Sequence, residues 1–150
     1  MKTNNTVDII NRKAKHEYLF ILTIEAGIIL QGTEIKSIRE GRANISESFA
    51  RPESGELWLF NAHISQHSAG GIQNYEPTRP RKLLLHKNQI IRLSRQVSEK
   101  RLTLIPLRIY LKRHLAKVEL GLAKGRRQYD KRHAIREKER VRDARDALRR

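Results

Sequence analysis

Few side chains in this sequence have the types and spacing that catalysis or metal binding requires. His63 and His67 lie four residues apart, which would suit a metal site on a helix, but the surrounding pattern predicts a strand followed by a loop. The sequence has no cysteine, and no neighbouring carboxylate completes a ligand shell. We therefore expect satisfied or exposed histidines, no bound metal and no cofactor.

Two further clusters resemble catalytic motifs without meeting their requirements. Gly121 and Gly125 have a spacing found in phosphate-binding loops, but the Lys-Ser/Thr pair that follows in a P-loop is missing, which favours a flexible hinge. Tyr129, Asp130 and His133 are crowded in a strongly basic segment rather than in a pocket that excludes water. The sequence therefore predicts no catalytic residues and no enzymatic activity.

The net charge is the strongest indicator of a partner. The 150 residues include 32 Lys and Arg against 16 Asp and Glu, a formal net charge of +16. Such an excess repels itself in a compact chain and is typical of proteins that bind a polyanion. Nucleic acid, an anionic membrane and an acidic protein are the candidates. No apolar run reaches the roughly 18 residues that span a bilayer, so we expect no membrane partner.

Hydrophobic periodicity predicts many short strands and two short helices. The first helix is capped by Thr33, has Ile35 and Ile38 on one face and stops at Gly41; the second covers 87–97. The predicted strands are 18–24 and 28–31, separated by a break at 25–27, then 57–60, 62–66, 82–85, 102–105, 107–111 and 116–120. This pattern is typical of a mainly β protein, a small antiparallel oligonucleotide-binding-like barrel with two or three short helices.

Composition divides the chain into three parts. We expect residues 1–10 to form a flexible lead-in and residues 11–123 to form the barrel. Residues 124–150 are expected to form a basic C-terminal arm, which has 12 Lys and Arg against 5 Asp and Glu. The arm has only a thin apolar stripe beside one basic helical face, so we expect it to be disordered when free and helical on a polyanion. The alternative is a solvated charged helix without a partner. The N-terminus lacks the apolar core of a secretory signal, which predicts a cytoplasmic location.

Two groups of side chains are suited to binding a nucleic acid. Tyr129 lies among four cations of the arm and can stack on a base, the alternative being a ring packed on the barrel. Basic clusters before the first strand and after the long loop at 67–80 supply candidate phosphate contacts. They consist of Arg12, Lys13 and Lys15, and of Arg79, Arg81 and Lys82.

Several ordered blocks of sequence resemble the SsrA-binding protein family (small protein B). They are Asn11-Arg-Lys-Ala-Lys-His-Glu-Tyr18, Glu25-Ala-Gly27, Gln31-Gly-Thr-Glu-Ile-Lys-Ser-Ile-Arg-Glu-Gly-Arg-Ala-Asn44, Glu56-Leu-Trp-Leu-Phe-Asn-Ala-His-Ile64, Pro77-Thr-Arg-Pro-Arg-Lys-Leu-Leu-Leu85 and Tyr129-Asp-Lys-Arg132. The resemblance implies an oligonucleotide-binding-like barrel that binds the tRNA-like domain of transfer-messenger RNA. It also implies delivery of that RNA to stalled ribosomes for trans-translation, with the arm occupying the empty mRNA channel near the decoding centre of the small subunit. The expected assembly state is a monomer.

The resemblance and the basic clusters together predict two sets of contacts. The RNA-binding set is Asn11, Arg12, Lys13, Glu25, Glu34, Arg39, Arg42, Asn44, Arg79, Arg81 and Lys82. The ribosome-contacting set is Lys124, Gly125, Arg126, Arg127, Tyr129, Asp130, Lys131, Arg132, Lys138, Arg142, Arg145 and Arg149. A carboxylate on an RNA surface can accept hydrogen bonds from base amino groups or 2′-hydroxyls, whereas Glu34 is equally suited to a structural ion pair.

Two departures from the family pattern and two other function classes bear on this interpretation. The stretch Leu22-Thr23-Ile24 is more apolar than the family's acidic residues, and Val141 replaces an aromatic residue of some relatives, which argues against a second stacking contact there. A generic ribosomal or translation-factor RNA binder would share the charge and the barrel without the ordered blocks. A small nuclease would need a metal-competent cluster that the sequence does not offer.

Overall fold

The structure, a computed structural model, describes residues 8–66, 75–125 and 140–145. Residues 140–145 are helical. The other elements, in chain order, are β1 (Ile9–Ile10), α1 (Ala14–Glu17), β2 (Tyr18–Ile28), α2 (Gly32–Arg39), β3 (Ala43–Asn44), β4 (Phe49–Glu53), β5 (Glu56–Phe60), β6 (His63–Ile64), β7 (Arg81–Leu84), α3 (Lys87–Lys100), β8 (Thr103–Lys112) and β9 (Leu115–Gly125).

The main sheet closes on itself. Its order is β8-β4-β5-β7-β2-β9, and β9 pairs again with β8, so six antiparallel strands form a closed barrel. The contact between β4 and β8 is the shortest seam, with Ala50 opposite Leu104. Strand β1 extends the sheet beside β8, and β3 pairs with β6 as a separate ribbon. The predicted mainly β, antiparallel barrel is thereby confirmed.

Alternation along the strands separates the core from the surface. On β5, Leu57 and Leu59 are fully buried, while their neighbours in sequence point outward. Strand β9 sends Val118, Leu120 and Leu122 into the same core. The helices complete it with apolar side chains at helical spacing, which are Ile38 from α2 and Ile90 and Leu93 from α3.

Both predicted helices exist, with different bounds. Helix α2 begins at Gly32 and not after Thr33, because the Gln31 side chain caps its N-terminus while Glu34 accepts a hydrogen bond from the Gln31 N–H at 2.8 Å. The glycine stop holds, since Gly41 has φ of +73°. Helix α3 continues to Lys100 and ends where Arg101 adopts a left-handed conformation.

Three strand predictions were wrong. No break interrupts β2 at 25–27, because Ala26 faces the core and Gly27 pairs with Leu84 of β7. Residues 102–111 belong to one strand, β8, whose register shifts after Pro106 instead of ending there. Strand β4 is absent from the predicted strands, because a proline such as Pro52 usually marks a strand boundary, whereas here it lies within the strand.

The lead-in predicted for residues 1–10 is shorter than expected. Ile9 and Ile10 pair with Ile109 and Arg108 of β8. The Ile9 side chain is buried, which ties the start of the described chain to the barrel. Residues 1–7 lie outside the described residues.

The hinge predicted at 121–125 does not form, because these residues are the last part of β9. Gly121 pairs with Thr23 on β2 and with Ile105 on β8, and Gly125 pairs with Tyr18. The Phe20 ring covers Gly121 so closely that an ideal Cβ there would lie 2.6 Å from ring atom Cε1. Glycine at this position therefore allows an aromatic ring to pack on the strand.

This packing predicts that Gly121→Ala destabilises the barrel by about 1–3 kcal/mol, because the Phe20 ring would have to move. Urea unfolding followed by far-ultraviolet circular dichroism measures the change. Gly125→Ala in the same strand is the matched control, since a Cβ there meets nothing within 4 Å. Equal midpoints for the two variants would show that the ring shifts at no cost.

Candidate nucleic-acid interface

Asn11 organises the N-terminal end of the predicted RNA-binding surface. Its side-chain amide donates to the Pro106 carbonyl at 2.9 Å and to the Ile45 carbonyl at 3.3 Å. Its side-chain oxygen accepts from the Ala14 N–H, the first residue of α1. With only 3% of Asn11 exposed, these bonds use the side chain internally. Asn11 therefore positions the neighbouring cations and does not itself face solvent.

The cations next to Asn11 are exposed. Arg12 and Lys13 are both on the surface, and Lys13 donates to the Glu47 carboxylate at 2.9 Å. This hydrogen bond, and secondly the charge of Glu47, raises the pKa of Lys13. Both partners are more than half exposed, so the ion pair is of the kind that contributes little to stability and exchanges easily.

A groove lined by residues of polar types, which we call the polar groove, adjoins this ion pair. It has a volume of about 520 Å³. The side-chain oxygen of Asn44 accepts from the Ser46 N–H at 2.9 Å and from its hydroxyl at 2.6 Å, which orients the Asn44 amide. Amide, imidazole, hydroxyl and carboxylate groups share the groove, a mixture suited to base edges and ribose hydroxyls. The lining residues are Asn44, Ser46, Glu47, Asn61, His63 and Thr78.

A buried ion-pair network lies next to Thr78 in sequence, through its neighbour Arg79. Glu34 on α2 is fully buried and accepts hydrogen bonds from Arg79 and, at 2.7 Å, from Nε of Arg81. Arg81 is also fully buried and donates to the Ala62 carbonyl at 2.7 Å and the Pro77 carbonyl at 2.9 Å. The network joins α2, β7, the connection between β5 and β6 and the segment that carries Thr78 and Arg79.

The Glu34 carboxylate stays ionised in this interior. Burial alone would raise its pKa, but the hydrogen bonds from Arg79 and the Gln31 backbone and the charge of Arg81 outweigh burial and lower the pKa. A lowered pKa means that the folded chain stabilises the charged form of Glu34 more than the unfolded chain does. The network therefore stabilises the fold above the ordinary titration range of a glutamate.

Asn11, Glu34 and Arg81 were predicted to contact RNA, and their burial corrects this prediction for their side chains. Each is 3% exposed or less, and each spends its hydrogen-bonding groups on protein partners. For Glu34 the structural ion pair, the alternative left open by the sequence, is the arrangement found. Arg79 differs, since 27% of its side chain is exposed, and its neighbour in sequence, Thr78, lines the groove.

The end of α2 adds two exposed cations, Arg39 and Arg42. Arg42 follows the Gly41 stop, and its backbone bonds to Ser37 and Ser65 hold it between α2 and β6. The structure thus brings Arg12, Lys13, Asn44, Arg79 and Arg42 to segments joined by shared hydrogen bonds. Lys82 faces outward on β7 and forms an ion pair with Glu56 at 2.9 Å.

Glu25 lies in a different environment from the other predicted contacts. It is exposed on β2 and accepts a hydrogen bond from the Tyr110 hydroxyl, which lowers the pKa of Glu25. Partial burial and the same bond raise the pKa of Tyr110 to about 12. Arg108 stacks on the Tyr110 ring at 4.4 Å and donates to Glu119 at 2.7 Å.

Sequence reasoning missed the partners of Glu25. A second groove of about 440 Å³ touches Glu25 and Lys117 and shares no lining residue with the first. Tyr110 and Arg108 stand on β8, and Tyr110 lies 85 residues from Glu25. The only signal in the sequence was an aromatic residue two positions after an arginine in a predicted strand.

The predicted ribosome-contacting set is described only in part. Lys124 is exposed and pairs with Leu19 at the end of β9, next to Gly125. Arg142 and Arg145 are exposed in the helical residues 140–145. The remaining members, which lie outside the described residues, are Arg126, Arg127, Tyr129, Asp130, Lys131, Arg132, Lys138 and Arg149.

The described ranges contain neither a metal-binding cluster nor a helix that could span a membrane. No group of three or more His, Cys, Asp or Glu side chains there could hold a metal ion. His63 is exposed on β6, and His67 lies outside those ranges. In the same ranges no helix is long and apolar enough to cross a bilayer.

A small closed antiparallel barrel with exposed cations and polar grooves defines the class of oligonucleotide-binding-type nucleic-acid-binding proteins. Residues 9–150 match the model of the SmpB protein family, and the chain belongs to this family.

Relatives support the same assignment. The SsrA-binding protein of Carboxydothermus hydrogenoformans is 55% identical over 139 residues, 93% of each chain. That of Halalkalibacterium halodurans is 50% identical over 147 residues, 98% of this chain and 96% of the relative. A solved structure, described as "tmRNA-SmpB: a journey to the center of the bacterial ribosome", contains a chain 50% identical with a TM-score of 0.67, over 79% of this chain and 84% of that one. The resemblance noted in the sequence is confirmed.

The buried network predicts the effect of Glu34→Gln. Loss of the charge leaves Arg81 buried without its anion, which costs about 3–5 kcal/mol near neutral pH. Because the folded pKa of Glu34 is lowered from 4.5, the variant shows its full loss of stability, relative to the wild type, at pH values above 4.5. The loss shrinks as the pH falls through the folded pKa, where the wild-type carboxylate is also protonated.

Urea unfolding at a series of pH values measures this difference in the free energy of unfolding. Glu99→Gln, an exposed position on α3, is the matched control and should change little at any pH. A Glu34→Gln deficit that stays constant down to the lowest pH would contradict an ionised Glu34.

Proposed function

We propose that this chain binds the tRNA-like domain of transfer-messenger RNA and delivers that RNA to stalled ribosomes for trans-translation. The observation that carries the proposal is membership of the SmpB family over residues 9–150, with relatives named SsrA-binding proteins. A related chain was solved in a structure whose description names tmRNA and the bacterial ribosome. The net charge of +16 provides the affinity for a polyanion that this role requires.

The first groove and its rim are the proposed contact with the tRNA-like domain. The exposed Arg12, Lys13 and Arg42 and the partly exposed Arg79, on segments that adjoin the groove, are suited to phosphates. The polar groove between them is suited to 2′-hydroxyls and to base edges in a tRNA-like elbow. The buried Asn11 and the Glu34–Arg81 pair support this role by fixing the loops that carry these groups before RNA arrives.

Glu25 is proposed as a second, acidic contact. Its carboxylate has one neighbour in the Tyr110 hydroxyl and is exposed, so it retains further acceptor capacity. A lowered pKa keeps it ionised at neutral pH. An ionised carboxylate repels phosphate, so the expected partner is a base amino group or a ribose hydroxyl.

The basic arm is proposed to enter the empty mRNA channel of the small subunit. Residues 124–150 carry 12 Lys and Arg against 5 Asp and Glu, and the spacing of Lys138, Arg142, Arg145 and Arg149 would place them on one face if the arm were helical. Such a face can follow RNA phosphates through a narrow channel. Tyr129 is proposed to stack on a base at the channel entrance.

Binding of transfer-messenger RNA, compared with bulk tRNA, tests the first part of the proposal. We expect tighter binding of transfer-messenger RNA and a slope of log K against log[salt] that is several units negative, because several phosphates are neutralised. Arg79→Gln should weaken binding and make the slope shallower by about one unit. Arg92→Gln, an equal loss of charge on exposed α3, is the control. A slope near zero, or no preference over bulk tRNA, would contradict the proposal.

Removal of residues 131–150 tests the role of the arm. Because the barrel carries the proposed groove, the truncated protein should bind isolated transfer-messenger RNA with nearly unchanged affinity. Peptide tagging on stalled ribosomes in a purified translation system should be lost. A large loss of affinity for the isolated RNA would contradict this division between barrel and arm.

A further inference from the structure

The outer face of β4, β5 and β7 carries a group of aromatic and basic side chains, of which only Lys82 belongs to the RNA-binding set predicted above. Antiparallel register places Phe49 opposite Phe60 and Arg51 opposite Trp58, and Lys82 of β7 lies opposite Trp58 on its other side. Residues that alternate with these, such as Ala50, Leu57 and Leu59, are buried in the barrel. The five side chains therefore share the outward face, and we refer to them as the aromatic platform.

Stacked rings and a cation form one half of the platform. The Phe49 and Phe60 rings stack with centroids 5.5 Å apart and planes 22° from parallel. The Arg51 guanidinium lies over the Phe60 ring, 4.7 Å from its centroid. Both rings remain half-buried, so ring surface stays accessible beside a positive charge. This combination is the one that stacks nucleobases and holds their phosphates.

Trp58 forms the other half. It is the only tryptophan in the chain, it is half-buried on the outer face, and its cross-strand neighbours Arg51 and Lys82 are both cations. Cross-strand neighbours on one face stand about 5 Å apart, so a base over the indole would have cations on both sides. Two of the three phenylalanines of the chain lie on the same face.

The cations of the platform are held by partners that can be exchanged. Arg51 bonds Glu53 at 2.6 Å and Lys82 bonds Glu56 at 2.9 Å, with every partner at least 36% exposed. Exposed pairs of this kind are weak in water, so a phosphate can replace the carboxylate. The two glutamates are cross-strand partners at one edge of the face and repel a polyanion there. The path open to a nucleic-acid strand is therefore the phenylalanine side of the platform.

We propose that the aromatic platform binds unpaired bases of single-stranded RNA. The inference goes beyond the binding of the tRNA-like domain, because it needs neither that fold nor the polar groove. A neutral apolar partner would leave Arg51 and Lys82 without a role, whereas a single strand engages rings and cations together. A duplex is excluded, because its bases are stacked on one another and not on the protein.

Trp58 is a built-in reporter for this site. The full-length protein is titrated with an oligouridine of about eight nucleotides, within the length that one barrel of this type covers, and the fluorescence of Trp58 is recorded. Quenching that saturates is expected with the single strand and not with a duplex of the same length. Phe60→Leu and Arg51→Gln should each raise the apparent Kd about tenfold, because stacking and its adjacent charge are lost. Glu53→Gln should lower the Kd, because it frees Arg51 for phosphate.

The control Arg92→Gln, which removes a charge from α3, should leave the fluorescence titration unchanged. Unchanged Trp58 fluorescence at single-strand concentrations that saturate the protein by filter binding would overturn the proposal and leave this face to a protein partner. Equal quenching by the duplex would also overturn it. Because the probe is not transfer-messenger RNA, each of these outcomes is independent of the binding test for the tRNA-like domain.

Discussion

The buried contact between Glu34 and Arg81 is the interaction on which the arrangement of the surface depends. It is fully enclosed, and a buried charge is tolerated only while its partner and hydrogen bonds are in place. Glu34 also closes the capping box of α2, so the start of the helix and the start of β7 are held by one carboxylate. Arg81 extends this hold to the carbonyls of Ala62 and Pro77. The segment that carries Thr78 and Arg79 therefore has a defined position before any ligand binds.

The closed barrel explains how so small a chain can present several separate polar and aromatic surfaces. Closure removes sheet edges and sends one set of alternating side chains inward, so every strand has an outer row free for polar and aromatic residues. The polar groove, the Glu25–Tyr110 pair and the aromatic platform occupy different stretches of this outer surface. The aromatic platform lies on the neighbouring strands β4, β5 and β7, and the Glu25–Tyr110 pair joins β2 and β8 on either side of β9. The groove is lined by the β3–β6 ribbon and the loops beside it.

The acidic residues show how a strongly basic protein can limit non-specific binding of polyanions. Glu47, Glu53, Glu56 and Glu119 each pair with an exposed cation at 2.6–2.9 Å. These pairs contribute little to stability, but they orient the cations and place negative charge beside them. A ligand must then offer phosphate at the right positions to replace the carboxylates, and binding becomes a matter of geometry as well as of charge.

The sequence alone determined the class of fold, the basic character and the family, because these depend on local pattern, on composition and on ordered blocks of residues. It also located α2 and α3, since the spacing of apolar residues at three and four positions is a local property. The sequence alone did not determine contacts between residues that lie far apart along the chain. Whether Glu34 faced RNA or an arginine depended on Arg81, 47 residues away, and the role of Gly121 depended on the Phe20 ring across the sheet. Only tertiary structure could decide these points, because the burial of a charge and the fit of a ring are set by whichever groups the closed barrel brings together.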